Sequence, residues 1–578
     1  MVMTTAQATP IAKRLTVQTL EIAAETTTIR SLDWDRDRFD IEFGLQNGTT
    51  YNSFLIRGDK VALVDASHEK FRPLYIDELR QTIDPATLDY LVISHTEPDH
   101  SGLVPDILAL APHVTVVGSK VAIQFLEDLV HQPFERRIVK NGDTLDLGQG
   151  HVLTFVMAPN LHWPDTLFSY DAKTGILFTC DAFGMHYCSE DCFDTDLKAI
   201  EPDFRFYYEC LMAPNARSVL SAMKRMDELP PIQTIATGHG PLLRHHVQTL
   251  TQNYRDWSQA KAKAETTVAV FYVSDYGYSD RLSQAIARGV TKTEVAVEML
   301  DLKSTDPQDI AELASRAQGI ILCTPPSSGE VGTATKAALG TLRTAASANQ
   351  VLGLFEAYGG DDEPIDPLLN QFRDLGLKLG FDPIRIKATP TDQTYQLCEE
   401  AGTDLGQLLS RDRKIKAQKA LSNDLEKALG RLSGGLYIIT TKKGDVTGAM
   451  LASWVAQASF EPLGFTVAVA KDRAIESLMQ VGDRFVLNAL EEGKHLPLMK
   501  HFLKRFPPGA DRFADVKTQT AKNGSPILSD ALAYMECEVV SRLECSDHWL
   551  VYSQVTAGRV SDPDGITAVH HRKVGNYY

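Results

Sequence analysis

The chain is predicted to be multidomain α/β, with a layered α/β unit first, a doubly wound parallel sheet second and an antiparallel β-barrel last. Three observations lead there. At roughly 100–200 residues per domain, 578 residues call for about three or four domains. The texture of the apolar runs changes twice along the chain. A hydrophobic content of 43% is enough for each part to bury a core.

Residues 30–264 alternate short apolar runs with polar loops: NSFLIRGDKVALVDA, LDYLVISH, HVLTFVMAP, GILFTCDA and IQTIATGH. These read as strands, many ending in a loop that opens with His or Asp. PLLRHHVQTLTQNYRDWSQAKAK has helical spacing and then turns charged, which puts a boundary near Glu265. Over 265–410 strand and helix patterns alternate regularly: TVAVFYVS, SDRLSQAIARGV, VAVEMLDLK, DIAELASRA, GIILCTP, a helix near 331–346, then QVLGLFEA. That is the pattern of a doubly wound parallel sheet. The stretch 411–430 is charged and helix-prone, a linker or a short packing helix. Within 431–578, GLYIITTKK, FTVAVAK, DRFVLNAL, MECEVVSRLE and HWLVYSQVTAGRV predict an antiparallel barrel. No internal repeat or low-complexity tract interrupts this order.

With 58 Lys+Arg against 75 Asp+Glu the formal charge is -17, so the broad basic surface that phosphate-backbone binding demands is missing and nucleic acid is not expected as a partner. No apolar run approaches the ~18 residues of a membrane span. MVMTTAQATPIAKRLTVQTL lacks the apolar centre of a secretory signal, so a cytoplasmic location is expected. The eight cysteines form no CxxC pair of the kind used by thiolate zinc, rubredoxin-type iron or thioredoxin-like sites. Reduced, mostly buried thiols are expected.

The most informative string is LVISHTEPDHSG, in which an apolar run ends in His95, Glu97, Asp99 and His100. NLHWPD adds His162, FTCDAFG adds Asp181 and ATGHGP adds His239, each closely following an apolar run of its own. One such residue after a strand is usually a helix cap or a satisfied core group; the joint occurrence points to a metal centre at one sheet edge. Four imidazoles and three carboxylates without a thiolate suit iron, manganese or zinc. If Asp181 bridges, one metal takes His95, Glu97 and His162, and the other takes Asp99, His100 and His239. The pattern resembles a metallo-β-lactamase-type domain, whose hydrolases carry HxHxDH. Here Glu97 makes it HxExDH, which is similar to the flavodiiron family. An anionic donor in place of a neutral one favours the ferric state and shifts the expectation from zinc hydrolysis to iron redox chemistry.

In the second region TVAVFYVS runs into Ser274, Asp275, Tyr276, Gly277, Tyr278 and Ser279 and then into a helix, a hydroxyl-rich phosphate cradle at a helix start. Thr324, Pro325, Pro326 and Ser327 follow the strand GIILCT, and Ala357, Tyr358, Gly359, Gly360 and Asp361 follow QVLGLFEA. Loops beyond the carboxyl ends of strands at a switch point bind the ligand of such sheets. One phosphate loop and two ring-flanking loops resemble a flavodoxin domain with FMN. Tyr358 is either a ring cover or a packed aromatic, and the sequence leaves both open. No GxGxxG follows a strand, which argues against a Rossmann dinucleotide domain.

In the third region Ala449, Met450, Ser453, Trp454 and Ser459, then a Pro turn and a strand, resemble the flavin reductase family with its split barrel. The resemblance implies a second flavin, FMN or FAD, held by small residues and main-chain groups of that stretch, with Asn488 also a candidate, and hydride supplied by NAD(P)H. As a whole the chain is similar to the cyanobacterial and chloroplast-type flavodiiron proteins, which fuse a flavin reductase module to the two-domain core. All seven metal positions match that family's pattern. The missing CxxC pairs separate it from relatives fused to rubredoxin.

The resemblance implies two irons per chain and a route from NAD(P)H through the barrel flavin and FMN to oxygen, which becomes water as a protective electron sink. It also implies a head-to-tail dimer or higher oligomer, with itself or with a paralogous chain, in which the FMN of one subunit faces the diiron site of its partner. Nitric oxide is the alternative substrate, because both gases bind ferrous iron. Reduced ferredoxin is the alternative donor. A zinc hydrolase with regulatory flavin modules, and a non-catalytic redox partner of a paralogue, are the rival classes.

Overall fold

The computed structural model describes residues 14–36, 38–39, 43–45, 47–263, 266–273, 278–303, 305–324, 333–356, 365–386, 388–420 and 423–572. The chain divides into two compact units, 1–263 and 264–578.

In the first unit a seven-stranded sheet runs from Leu15–Ala23 to Glu135–Ile138, and a five-stranded sheet runs from Thr144–Gly148 to Thr234–Thr237. The sheet begins at Leu15, ahead of the expected start at 30. That strand, LTVQTLEIA, is mostly half-buried with a single buried residue, and its interspersed polar residues weaken its signal. Phe54, Val64, Val92 and Val117 from the larger sheet share a core with Phe155, Leu167, Phe178 and Ala236 from the smaller one. The outer faces are closed by helices such as Arg72–Thr82 and Lys120–Val130 on one side and Ala216–Met226 and Val247–Ala262 on the other. This is the αββα sandwich of the metallo-β-lactamase type.

In the second unit the strands Thr267–Tyr272, Ala296–Asp301, Gly319–Thr324 and Val351–Glu356 pair in parallel, each followed by a helix. With the short strand Lys378–Leu379 pairing in parallel beside Val351–Glu356 as the fifth, their spatial order, numbered along the chain, is 2-1-3-4-5, the flavodoxin-like doubly wound order. The stretch 411–430 is largely helical: its first part completes the 29-residue helix Asp392–Ala420, and Asn423–Leu429 forms another. No Gly or Pro falls between Gly406 and Gly430, and Leu, Lys and Ala dominate, so helix propensity is uninterrupted. The final part is a seven-stranded antiparallel sheet with Val446–Ala452 at one edge and Val455–Phe460 at the other. The two long strands Ala533–Cys545 and His548–Val560 pair along their length, and the inner face buries Ile439, Val467, Phe485, Val539 and Val551. This is the split barrel. Among the described residues no helix is long and apolar enough to cross a membrane. No disulfide joins the eight cysteines, and only Cys545, at the turn between the two long strands, is exposed.

The helices Tyr278–Thr291 and Asp392–Ala420 touch backbone to backbone. A Cβ at Gly289 would stand 1.9 Å from the Glu399 carbonyl oxygen, and one at Gly402 would stand 2.0 Å from that of Ile286. Neither carbonyl can move without breaking its helix. Gly402→Ala is therefore expected to destabilise the second unit by about 2–3 kcal/mol, read as a lower denaturant midpoint with the slope unchanged.

Candidate metal centre

Local structure explains how each of the seven residues reaches the sheet edge. His95 follows the strand Tyr90–Val92, and Glu97 is the N-cap of the short helix Pro98–Ser101. Pro98 at the first helical position suits that start, and the Glu97 carboxylate makes no capping bond, which leaves it for the site. Asp99 and His100 lie on the same turn. His162 belongs to the loop between His151–Met157 and Leu167–Asp171, while Asp181 and His239 follow the neighbouring parallel strands Ile176–Cys180 and Thr234–Thr237. The two sheets thus contribute to one cluster. A Cβ at Gly238 would lie 2.7 Å from Cε1 of His100, so the imidazole fits only because position 238 has no side chain.

The structure brings all seven together, none more than 4% exposed. The donor atoms of His95, Glu97, His162 and Asp181 lie within 4.8 Å of one another, as do those of Asp99, His100 and His239. Asp181 joins the two sets. Its Oδ1 is 2.9 Å from His100 Nε2 and 3.3 Å from His239 Nε2, while its Oδ2 is 3.2 Å from His162 Nε2 and 3.5 Å from His95 Nε2. The Cys180 thiol is within reach of His100 and Asp181, but burial pushes its pKa well up and keeps the proton on sulfur.

The electrostatics follow from this crowding. Burial disfavours charge on His239 and His162, but the adjacent carboxylate of Asp181, joined by Asp99 and Glu97 respectively, outweighs it and raises them to about 10 and about 9. Burial and the Asp99 charge oppose ionisation of Glu97, yet His162 and His95 hold it at about 2. Such a field favours any cation among the imidazoles, a proton or a metal ion. The residues fit a pair of metal ions on one further observation: neither carboxylate oxygen of Asp99, nor Oδ2 of Asp181, makes a hydrogen bond, although all are buried. Ionised carboxylates in that state call for a metal.

Sequence reasoning missed the groups that aim the ligands. Asp165 Oδ1 is 2.9 Å from His95 Nδ1, and its Oδ2 accepts from the Thr96 amide and hydroxyl, each at 2.7 Å. His239 Nδ1 donates to the Thr50 carbonyl at 2.6 Å. Both bonds turn Nε2 toward the cluster. Asp165 was within sight in NLHWPD; Thr50 gave no signal, because it acts through its carbonyl.

For the flavin positions, Ser274, Asp275, Tyr276, Gly277, Pro325, Pro326, Ser327, Ala357, Tyr358, Gly359, Gly360 and Asp361 lie outside the described residues, as do the side chains of Tyr278 and Thr324. Their flanks are described: the strands Thr267–Tyr272, Gly319–Thr324 and Val351–Glu356 are adjacent and parallel, so their carboxyl ends lie at one sheet edge, and Ser279 is buried in the first turn of its helix. In the barrel, Met450 pairs across from Ile439, Ser453 is buried, and Trp454 stacks near His548 with centroids 5.1 Å apart and the Arg572 guanidinium 5.0 Å from its ring. The Ser459 hydroxyl donates to the Pro462 carbonyl at 2.6 Å and lies 2.9 Å from the Tyr552 hydroxyl. Asn488 differs from a ligand-facing residue. Its amide nitrogen donates to the Ile438 carbonyl and the Thr440 hydroxyl, both at 3.1 Å, and its oxygen accepts from the Leu528 amide at 2.9 Å. With no exposure and the whole amide so engaged, it braces the barrel.

Comparison with known proteins identifies two domains and close full-length relatives. Residues 49–240 match the ODP family beta lactamase and residues 429–577 match the flavin reductase like domain. Diflavin flavoprotein A 1 of Synechocystis sp. (strain PCC 6803) is 69% identical over 569 residues, covering 98% of this chain and 99% of that protein. The metal-soaked Flv1 flavodiiron core from Synechocystis sp. PCC6803 superposes with a TM-score of 0.65 at 41% identity, covering 69% of this chain and 99% of that one.

Replacing Asp165 with Ala is expected to weaken metal binding at the His95 side by about 10–100-fold, measured as metal content against free ferrous ion in the purified chain.

Proposed function

Because this chain belongs to the diflavin flavoprotein A family of flavodiiron proteins, we propose that it is an NAD(P)H-driven oxidoreductase that reduces molecular oxygen to water as a protective electron sink. The family is one of oxidoreductases, and its architecture implies FMN, a diiron centre and, in the flavin reductase domain, a second flavin. When bound, the irons and flavins supply gas binding and electron storage: two NAD(P)H give four electrons, and with four protons these turn one oxygen molecule into two waters.

The observation that carries this reading is the seven-residue cluster with Glu97 in its middle and Asp181 shared between both sets. His95, Glu97, His162 and Asp181 would hold one iron, and Asp99, His100, His239 and Asp181 the other. Three anionic donors offset part of the charge of two irons and favour cycling to the ferric state over hydrolytic zinc chemistry. Trp163 packs edge-on to His95 with centroids 5.0 Å apart, and Tyr51 to His239 at 5.6 Å, so aromatic walls limit water around the ligands.

Further along the route, the hydroxyls and amides of Ser274–Ser279 would hold the FMN phosphate, with Thr324–Ser327 and Ala357–Asp361 flanking the ring. Met450, Ser453, Trp454 and Ser459 would border the second flavin. In this reading the diiron part spans 30–264, the FMN part 265–410 and the reductase part 431–578. The chain assembles head to tail with itself or a paralogue in the cytoplasm.

Oxygen uptake by iron- and FMN-loaded protein given NADPH or NADH is the test. Rapid uptake that catalase leaves unchanged is the expected result. In Asp181→Asn, where the bridging charge is lost, uptake should become slow and partly returned by catalase, as flavins alone leak peroxide. A wild-type chain that consumes nitric oxide under anoxia and leaves oxygen untouched would replace this reading.

A further inference from the structure

Within the second unit the Asp392–Ala420 helix, close-packed on Tyr278–Thr291 through Gly289 and Gly402, turns another face to the barrel part. Along that face polar contacts recur at helical spacing. Gln396 Nε2 donates to the Ala474 carbonyl at 3.3 Å, and Gln407 Nε2 to the Asp472 carbonyl at 2.9 Å. Glu400 accepts the Gly509 amide at 3.0 Å and pairs with Arg512 at 2.9 Å, while Asp404 pairs with Arg505 at 3.1 Å. At the centre is a buried set of charges. Lys292 bridges Glu399 and Glu476, the latter at 2.8 Å, Glu476 also holds Arg542, and Arg288 stands 3.7 Å from Glu399. None of these five side chains is more than 10% exposed. Burial works against the Glu476 charge, yet Lys292 and Arg542 keep its pKa well below the usual carboxylate range.

Resting on the relay reading above, we propose that Arg288, Lys292, Glu399, Glu476 and Arg542 form an internal docking surface that locks the reductase barrel onto the flavodoxin-like sheet in one orientation, so that electrons from NAD(P)H reach the FMN of the same chain. Buried ion pairs add little net stability, because desolvation offsets their attraction, but a misaligned barrel would leave charges buried without partners. They therefore select orientation. Glu476 is the node, since it alone contacts a cation on each side of the junction. Per transfer one NAD(P)H loses two electrons and one FMN gains them, with protons exchanged with water, so the docked face needs no further reactant.

Hydrogen exchange on the full chain tests the docking whatever the electron donor. In the wild type, segments 392–407 and 472–478 should open together. Glu476→Gln should speed both by on the order of 100-fold, while strands Thr267–Tyr272 and Tyr437–Lys443 keep their rates. Lys292→Met should do the same, and the double variant should be no faster than either single one. Variants in which the two segments exchange as in the wild type, or in which only one accelerates, would overturn the proposal. FMN reduction by NADPH should be independent of protein concentration in the wild type and become concentration-dependent in Glu476→Gln; concentration dependence already in the wild type also overturns it. Failure of both nicotinamides to reduce the flavins counts against the function reading, while the exchange rates still decide the docking.

Discussion

Four imidazoles and three carboxylates are packed at one edge of the sandwich with almost no access to water, and most of the first unit is arranged around the need to neutralise them. Removing carboxylates from water is strongly unfavourable unless a positive partner meets them. The imidazoles supply part of that balance as protonated groups, and bound metal ions would supply it in their place. The surrounding architecture follows from this one requirement. Two sheets must end at the same edge, the loops must be short enough to hold side chains within 3–4 Å of one another, and position 238 must lack a side chain so that His100 can close in.

The second unit meets a related problem differently. Its helix pair is held by glycine, which lets two backbones approach closely, while another face of the same long helix carries Glu400 and Asp404, which pair with Arg512 and Arg505 of the barrel part. The first contact gives rigidity and the second gives direction. A single helix thereby serves both the interior of the parallel sheet and its junction with the next part of the chain.

Much of this was legible in the sequence because each candidate metal ligand lies within a few residues of the end of an apolar run, which narrows its place in the fold before any contact is known. The parallel sheet was legible for the same reason, through regular strand and helix alternation. The strand Thr26–Asp33 was not. It reads TTTIRSLD, yet every residue of it is buried. Its hydroxyls find partners far along the chain, Thr28 donating to the Ser53 carbonyl and Ser31 accepting from the Ser67 hydroxyl, and its arginine reaches Gln18 and the Ser189 carbonyl. Polar residues satisfied at long range leave no periodicity to read. Asn488 misled in the opposite way: an amide in a barrel strand resembles a ligand donor until its three bonds to the barrel itself are seen.

The thiol inventory has a practical side. With seven sulfurs buried and Cys545 alone at the surface, the natural chain carries a single accessible attachment point for a maleimide dye or spin label, at the tip of the longest hairpin in the barrel. Distances measured from that tip to the flavins or to a paramagnetic metal would chart the reach of the reductase part during turnover, with no engineered cysteine and no residue removed.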